Sequence, residues 1–159
     1  MSSMILAMGI FYGGIAQVIA GIMEWRKGNT FASTAFISYG FFWLTLVALL
    51  VIPKIGWWDK TDGNANTMGA FLFMWGLFPL IIFIGTFKLN HALQFVFGSL
   101  FVLFFLLSYG EFSAKESVAT IAGYEGIICG LSAIYTGLAQ VLNEVYGKVI
   151  LPLGIMKKD

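Results

Sequence analysis

Residues 31–52 read FASTAFISYGFFWLTLVALLVI, a run of 22 residues without a charged side chain. A helix of about 20 apolar residues crosses the roughly 30 Å hydrocarbon core of a bilayer, so this run is long enough to span a membrane. Four further apolar runs of similar length lie at 4–23, 68–87, 92–109 and 118–142. None of them alternates in polarity at every second residue, as a barrel strand would. The sequence therefore predicts an all-α transmembrane helical bundle with five spans.

The composition points to the same class of protein. Of the 159 residues, 59% are hydrophobic and only 11% are charged, whereas soluble domains contain about 25% charged residues. The net charge of +1 gives no reason to propose a nucleic-acid partner. With one cysteine, Cys129, and one histidine, His91, the chain cannot form a disulfide framework or a Cys/His metal cluster. We predict a single transmembrane domain, residues 1–159, that is surrounded by lipid and needs no cofactor or metal.

The sequence lacks the patterns that are typical of enzymes. It contains no Ser/His/Asp set, no pair of carboxylates at catalytic spacing and no glycine loop of the Walker type. We therefore predict that the protein is not an enzyme, and hypotheses about its function rest on the spans themselves.

The distribution of lysine and arginine predicts the orientation in the membrane. If the spans alternate, one side receives Arg26, Lys27, Lys88, Lys148, Lys157 and Lys158, and the other receives Lys54, Lys60 and Lys115. Cytoplasmic loops carry the excess of positive charge, so the C-terminus is predicted to lie inside. An odd number of spans then places Met1 outside.

The first span carries a stripe of small residues that contains one amide. Gly9, Gly13, Gln17 and Gly21 recur at every fourth residue and therefore share one helix face. Glycines at this spacing let another helix backbone approach closely. Gln17 either forms an interhelical hydrogen bond within a packing seam or lines a pathway as the donor to a permeating anion.

The last span carries a longer polar stripe on one face. It consists of Glu125, Cys129, Ser132, Thr136, Gln140 and Asn143, beside the small residues Gly126, Gly130, Ala133 and Gly137. A polar stripe in lipid must face protein or water, and small residues suit tight helix packing. We predict that Glu125, Ser132, Thr136 and Asn143 line a pathway, with interhelical hydrogen bonding as the alternative.

Three side chains could carry chemistry of their own. Glu125 lies about two turns into its span, where an ionisable residue marks a functional site by default. It is either protonated within the membrane or closer to the interface than the boundary of its span suggests. Cys129 is expected to be a small buried packing residue, and His91 is expected to be an interfacial imidazole at the start of the fourth span.

Several motifs along the chain are specific enough to suggest a family. They are AMGIFYGGIAQ (7–17), EWRKGNTF (24–31), SYGFFWL (38–44), GTFKLNHALQFVF (85–97), CGLSAIYTGLAQVLNEVYG (129–147) and LPLG (151–154). These motifs resemble those of the succinate-acetate permease family, also called the acetate uptake transporter family. The resemblance extends over almost the whole chain and diverges only around 57–66 and 111–117.

The resemblance implies six transmembrane helices per protomer and assembly into a homohexamer. Each protomer would contain its own path, which carries acetate and, in some members, succinate. Such a path works as a proton symporter or as an anion channel. Family members begin with a motif of the Asn-Pro-Ala-Pro-Leu-Gly-Leu type and a first helix, and this sequence begins where their second helix would begin. We expect that this first helix is missing here; restoring it would place both termini inside.

The resemblance also implies site residues. The narrow apolar constriction of the family would be formed by an aromatic residue on the missing helix, by Tyr39 and by Leu100. Gln17 fits a pathway amide near one of the anion sites. Glu125 falls where other members can carry an apolar residue, so the resemblance does not imply an obligatory proton-carrying role for it.

The leading functional hypothesis is transport of small carboxylates, acetate with succinate as a further candidate, across a bacterial or archaeal cell membrane. The alternative is a multi-pass membrane protein with a structural or assembly role and no transport activity. The polar stripe of the last span separates the two hypotheses, because a scaffold needs packing there but no selectivity for acetate.

Overall fold

The computed structural model describes residues 3–57 and 64–156, and five long helices account for most of them. They are α1 (Ser3–Arg26), α2 (Thr30–Val51), α3 (Ala65–Thr86), α4 (His91–Ser113) and α5 (Glu116–Tyr146). Each is long and apolar enough to cross a membrane, so the predicted all-α class and the five spans are confirmed. Met1, Lys60, Lys157 and Lys158, which entered the prediction of orientation, lie outside the described residues.

The helix ends differ from the predicted spans because backbone hydrogen bonding continues after an apolar run has stopped. The last two helices each extend four residues beyond their predicted ends. Three of the five helices begin at an asparagine whose side chain accepts a hydrogen bond from a backbone N–H three residues later. These caps are Asn29 to Ala32, 3.1 Å; Asn64 to Thr67, 2.8 Å; and Asn90 to Leu93, 2.8 Å. Each cap satisfies one of the N–H groups that a helix start leaves without a partner.

The chain divides into two compact units, Met1–Gly63 and Asn64–Asp159. The N-terminal unit contains the hairpin of α1 and α2, and the C-terminal unit contains α3, α4 and α5. The prediction of a single domain over residues 1–159 stays a prediction, and each unit is described by itself.

Close contact through glycines joins the two helices of the N-terminal unit. A Cβ atom at Gly21 would lie 2.9 Å from the Ile37 backbone nitrogen, and one at Gly40 would lie 2.9 Å from the Gly14 carbonyl oxygen. Real Cβ atoms do not approach backbone atoms this closely, so only glycine fits at these crossings. The predicted packing seam on the first span is therefore present and faces α2.

Part of the seam differs from the prediction. Residues Gly9–Ala16 within α1 form a π-helix, a rare arrangement with i→i+5 hydrogen bonds that no residue pattern in this span predicts. The partner of Gly13 is the Trp43 ring rather than a helix backbone, since a Cβ on this glycine would lie 2.9 Å from Trp43 Cγ. Gly9 packs on the same ring and on Val47. An indole ring thus fills the space that two glycines leave.

In the C-terminal unit, α4 packs against both α3 and α5. The buried Ser108 hydroxyl on α4 donates a hydrogen bond to the Gly69 carbonyl oxygen on α3, 2.8 Å away. Gly76 on α3 admits the Phe105 ring, which would lie 2.9 Å from a Cβ at that position. Toward α5, the contacts run from Gly110 near Val118 to Val96 near Cys129, so the two helices are antiparallel.

Candidate functional site

The polar stripe of α5 lies against α4 over part of its length. Cys129 and Thr136 are buried, and the Cys129 thiol lies 3.9 Å from the Val96 carbonyl oxygen on α4. Ser132 and Thr136 donate their hydroxyl hydrogens to carbonyl oxygens one turn earlier in α5, at 2.7 and 2.8 Å. Hydroxyl groups bonded in this way have a hydrogen-bond acceptor within their own helix. The expected burial of Cys129 is confirmed, and a pathway role for Ser132 and Thr136 stays a prediction.

The small residues beside this stripe lie in a more open environment than their spacing suggests. Gly126 is in ordinary contact with Leu103, 3.6 Å from a Cβ placed on the glycine. No described residue lies within 4 Å of a Cβ placed at Gly130 or Gly137. Tight packing at these two glycines, expected from the sequence, is thus not present within the described part of the chain.

Asn143 forms hydrogen bonds with the segment that follows α5. We call this segment, residues 147–156, the C-terminal segment. The Asn143 side-chain oxygen accepts hydrogen bonds from the Ile150 and Leu151 backbone N–H groups, at 2.7 and 3.0 Å. Its side-chain nitrogen donates to the Leu151 carbonyl oxygen at 2.8 Å. This amide therefore has a structural role, and its place in a pathway stays a prediction.

The C-terminal segment then crosses to the start of α4. The Tyr135 hydroxyl donates to the Pro152 carbonyl oxygen at 2.7 Å, and the His91 and Ala92 N–H groups donate to Gly154 and Leu153 at 3.0 and 3.1 Å. Gly154 has a positive φ of 67° and lies so close to the His91 ring that a Cβ would be 2.8 Å from Cδ2. Sequence reasoning used LPLG only to identify the family and missed this contact, although a proline two residues before a glycine signals a turn.

Glu125 is half-buried in the C-terminal unit, and its level along α5 can be compared with α4. With 31 residues, α5 is about 46 Å long and exceeds the hydrocarbon thickness, so depth cannot be counted from its first residue. The position of Glu125 is better judged from the neighbouring helix. The next residue, Gly126, contacts Leu103, which lies near the centre of α4. This position supports a Glu125 side chain within the membrane rather than at the interface.

A groove of about 580 Å³ runs beside Glu125, and we call it the Glu125 groove. One face of α4 forms most of its wall, with Phe83 of α3 and Glu125 of α5 on the other sides. The α4 residues that line it are His91, Gln94, Phe95, Gly98, Ser99 and Val102. A smaller cleft of about 440 Å³ shares His91 and Phe95 with the groove and is lined on one side by the C-terminal segment. The two clefts therefore meet at the start of α4.

Residues 1–157 match the sequence model of the GPR1/FUN34/yaaH family. The chain belongs to this family. It is 53% identical over 154 residues to the succinate-acetate/proton symporter SatP of Escherichia coli, which covers 97% of this chain and 81% of that protein. It is 28% identical over 166 residues to acetate permease A of Emericella nidulans, which covers 95% of this chain and 55% of that protein. The resemblance seen in the motifs is confirmed.

A solved structure supports the same assignment. It is described as the structure of the bacterial acetate channel SatP, with a TM-score of 0.94 and 53% sequence identity to this chain. The match covers 97% of this chain and 84% of that chain. The all-α fold of this family member thus agrees with a solved relative over nearly its entire length.

The residues that the family resemblance assigned to a constriction lie in different units. Tyr39 is buried in α2 of the N-terminal unit, and Leu100 is half-buried in α4 of the C-terminal unit. Gln17 follows the π-helix in α1, and its buried side-chain oxygen accepts no hydrogen bond from the described part of the chain. These three assignments remain predictions.

Proposed function

We propose that this family member carries small carboxylates, acetate and succinate, across the cell membrane through a path within each protomer. The observation that carries the proposal is the likeness to a succinate-acetate/proton symporter and to an acetate channel structure over 97% of the chain. Five membrane-spanning helices can line such a path. On this proposal the protein is a transporter and not an enzyme.

SatP is described both as a proton symporter and as an acetate channel, and the two descriptions imply different modes of carboxylate movement. A symporter moves a proton with the carboxylate, whereas a channel lets it pass down its own gradient. An apolar constriction at Tyr39 and Leu100 would suit either mode, because it excludes hydrated ions while a small and weakly polar solute passes. A cytoplasmic C-terminus, from the lysine and arginine distribution, and a homohexamer, from the family resemblance, complete the proposal.

Counterflow in liposomes tests the proposal. Vesicles that contain the protein and unlabelled acetate are diluted into labelled acetate, and vesicles without protein measure the passive flux of acetic acid. We expect transient accumulation of label that excess unlabelled acetate abolishes. If folded protein gives only the passive flux, with circular dichroism verifying its helix content, transport is excluded and the structural or assembly role is favoured.

A further inference from the structure

Glu125 is a carboxyl group at a depth where charge is unfavourable. It lies beside the centre of α4, and no lysine or arginine is present among the residues that line its groove. An ionised carboxylate held in hydrocarbon without a cationic partner is strongly disfavoured, so such a group is neutral or reaches water. The neutral state requires a proton to reach Glu125, and the ionised state requires contact with water, so a route from the aqueous phase would serve both states.

The Glu125 groove provides polar groups along that route. His91, at the first residue of α4, and Gln94, one turn deeper, are linked by 3.1 Å between His91 Nδ1 and Gln94 Oε1. Ser99 lies more than one turn further on the same groove wall and about one turn short of Leu103, the residue level with Gly126. Its hydroxyl donates to the Val96 carbonyl oxygen at 3.1 Å. The opposite side of the groove is apolar, with Phe83 from α3. Polar side chains therefore recur along this wall from the start of α4 to within about one turn of the level of the carboxyl group.

The width of the groove depends on Gly98. A Cβ placed on Gly98 would lie 3.2 Å from the Phe83 ring, so a larger side chain there would occupy the space between α3 and α4. Few titratable groups face Glu125 along this space. They are His91 from α4 and Cys129 one turn away on α5, while Phe83 is the lining residue from α3.

We propose that the Glu125 groove is a proton-access route and that Glu125 takes up and releases one proton during transport. This inference rests on the proposed function and names the group that would link a proton to the carboxylate. An O–H bond forms on the Glu125 carboxylate when the proton arrives from water. An O–H bond of a hydronium ion breaks as this bond forms; when the proton leaves, the Glu125 O–H bond breaks and an O–H bond forms on water or on the carried carboxylate.

Infrared difference spectroscopy tests proton binding independently of transport. Protein in lipid vesicles is titrated from neutral to mildly acidic pH, and the carboxylic C=O band of Glu125 is identified by its loss in Glu125→Gln. We expect a band that grows reversibly as the pH falls and shifts after transfer to heavy water. Gly98→Leu should slow this shift, whereas Gly123→Leu, which has no described neighbour within 4 Å, should not. A band that never titrates, or a shift unaffected by Gly98→Leu, overturns the proton-access route.

Acetate exchange with the same proteins tests the link to transport. We expect the exchange rate of the unmodified protein to depend on pH and that of Glu125→Gln to lose this dependence. Glu144→Gln, at the exposed end of the same helix, should keep it. A Glu125→Gln protein with the original pH dependence overturns the role in transport even if the infrared band titrates. Absence of exchange in every protein instead rejects the proposed function, while the infrared result still decides the route.

Discussion

The two pairs α1–α2 and α4–α5 are held together in different ways. Glycines bring α1 and α2 into contact, down to 2.9 Å between a backbone atom and a Cβ placed at Gly21. The ends of α4 and α5 are instead joined by polar bonds of the C-terminal segment, centred on Asn143. Lipid offers no hydrophobic driving force between helices, so close approach and hydrogen bonding are the two available means. The contact of α1 with α2 therefore depends on the shape of the two helices. The connection between the ends of α4 and α5 depends on a few hydrogen bonds.

Replacing Asn143 by Ala should have the largest effect on stability. The change removes three hydrogen bonds to the backbone of the C-terminal segment. At about 1 kcal/mol each, with some backbone groups left unpaired, we expect a loss of about 2 to 4 kcal/mol. Unfolding in mixed micelles measures the loss, and Gln140→Ala, an exposed amide on the same helix, is the control. Equal stability of the two variants would show that the polar bonds contribute nothing.

Replacing Gly21 by Ala tests the shape-dependent pair. The added methyl group would meet the Ile37 nitrogen and the Ser33 carbonyl oxygen, at 2.9 and 3.1 Å, and neither atom can rotate away. We expect a loss of about 2 kcal/mol in the free energy of unfolding, because the helices must separate. Gly123→Ala, in open space among the described residues, should be neutral or stabilising. If both variants behave alike, the seam at Gly21 is looser than its geometry indicates.

Gln17 is a polar residue on the glycine stripe of the pair α1–α2. Its replacement by Ala distinguishes a pathway role from a packing role. If the amide donates to a passing carboxylate, the change should cost about 1.5 kcal/mol, or roughly a tenfold reduction in acetate uptake. Oligomers seen by native electrophoresis should persist. Normal uptake with dissociated oligomers would instead assign Gln17 to packing.

The predicted constriction combines Tyr39 of the N-terminal unit with Leu100 of the C-terminal unit. Substitutions at these two positions should have the smallest effect on transport. Shortening Leu100 to Ala removes three carbon atoms from the predicted constriction. We expect the ratio of succinate to acetate flux to rise about threefold, which corresponds to less than 1 kcal/mol. Tyr39→Ala should raise the ratio as well and also remove a hydroxyl that could orient the carboxylate. The ratio is measured per folded protein in liposomes, and an unchanged value in both variants would exclude the constriction.

The spans were predictable because length and hydropathy alone determine which segments can cross a bilayer. The asparagine caps follow local rules as well, since Asn29, Asn64 and Asn90 each act within three residues. The π-helix of α1 was not predictable from residue types, and neither was the packing of its residues Gly9 and Gly13 on the Trp43 ring. No short-range rule encodes that fit.

The candidate site was predictable only in part. Helical spacing placed Glu125 and Cys129 on one face, while the position of Glu125 relative to the centre of α4 follows only from the contact of Gly126 with Leu103, and its depth in the membrane stays a prediction. The bonds from Asn143 to Leu151 join residues whose pairing depends on the path of the chain after α5. Sequence patterns indicate which residues share a face, but they do not identify the partner of each polar atom.

The C-terminal segment has a consequence for anion recognition at the start of α4. A helix N-terminus carries a partial positive charge from its dipole and often holds an anion with its free N–H groups. Here the His91 and Ala92 N–H groups donate to Gly154 and Leu153, and the Leu93 N–H donates to Asn90. Neutral oxygens of the protein thus occupy the dipole end that a carboxylate would otherwise bind, so a permeating acetate would not be retained at this mouth of the Glu125 groove.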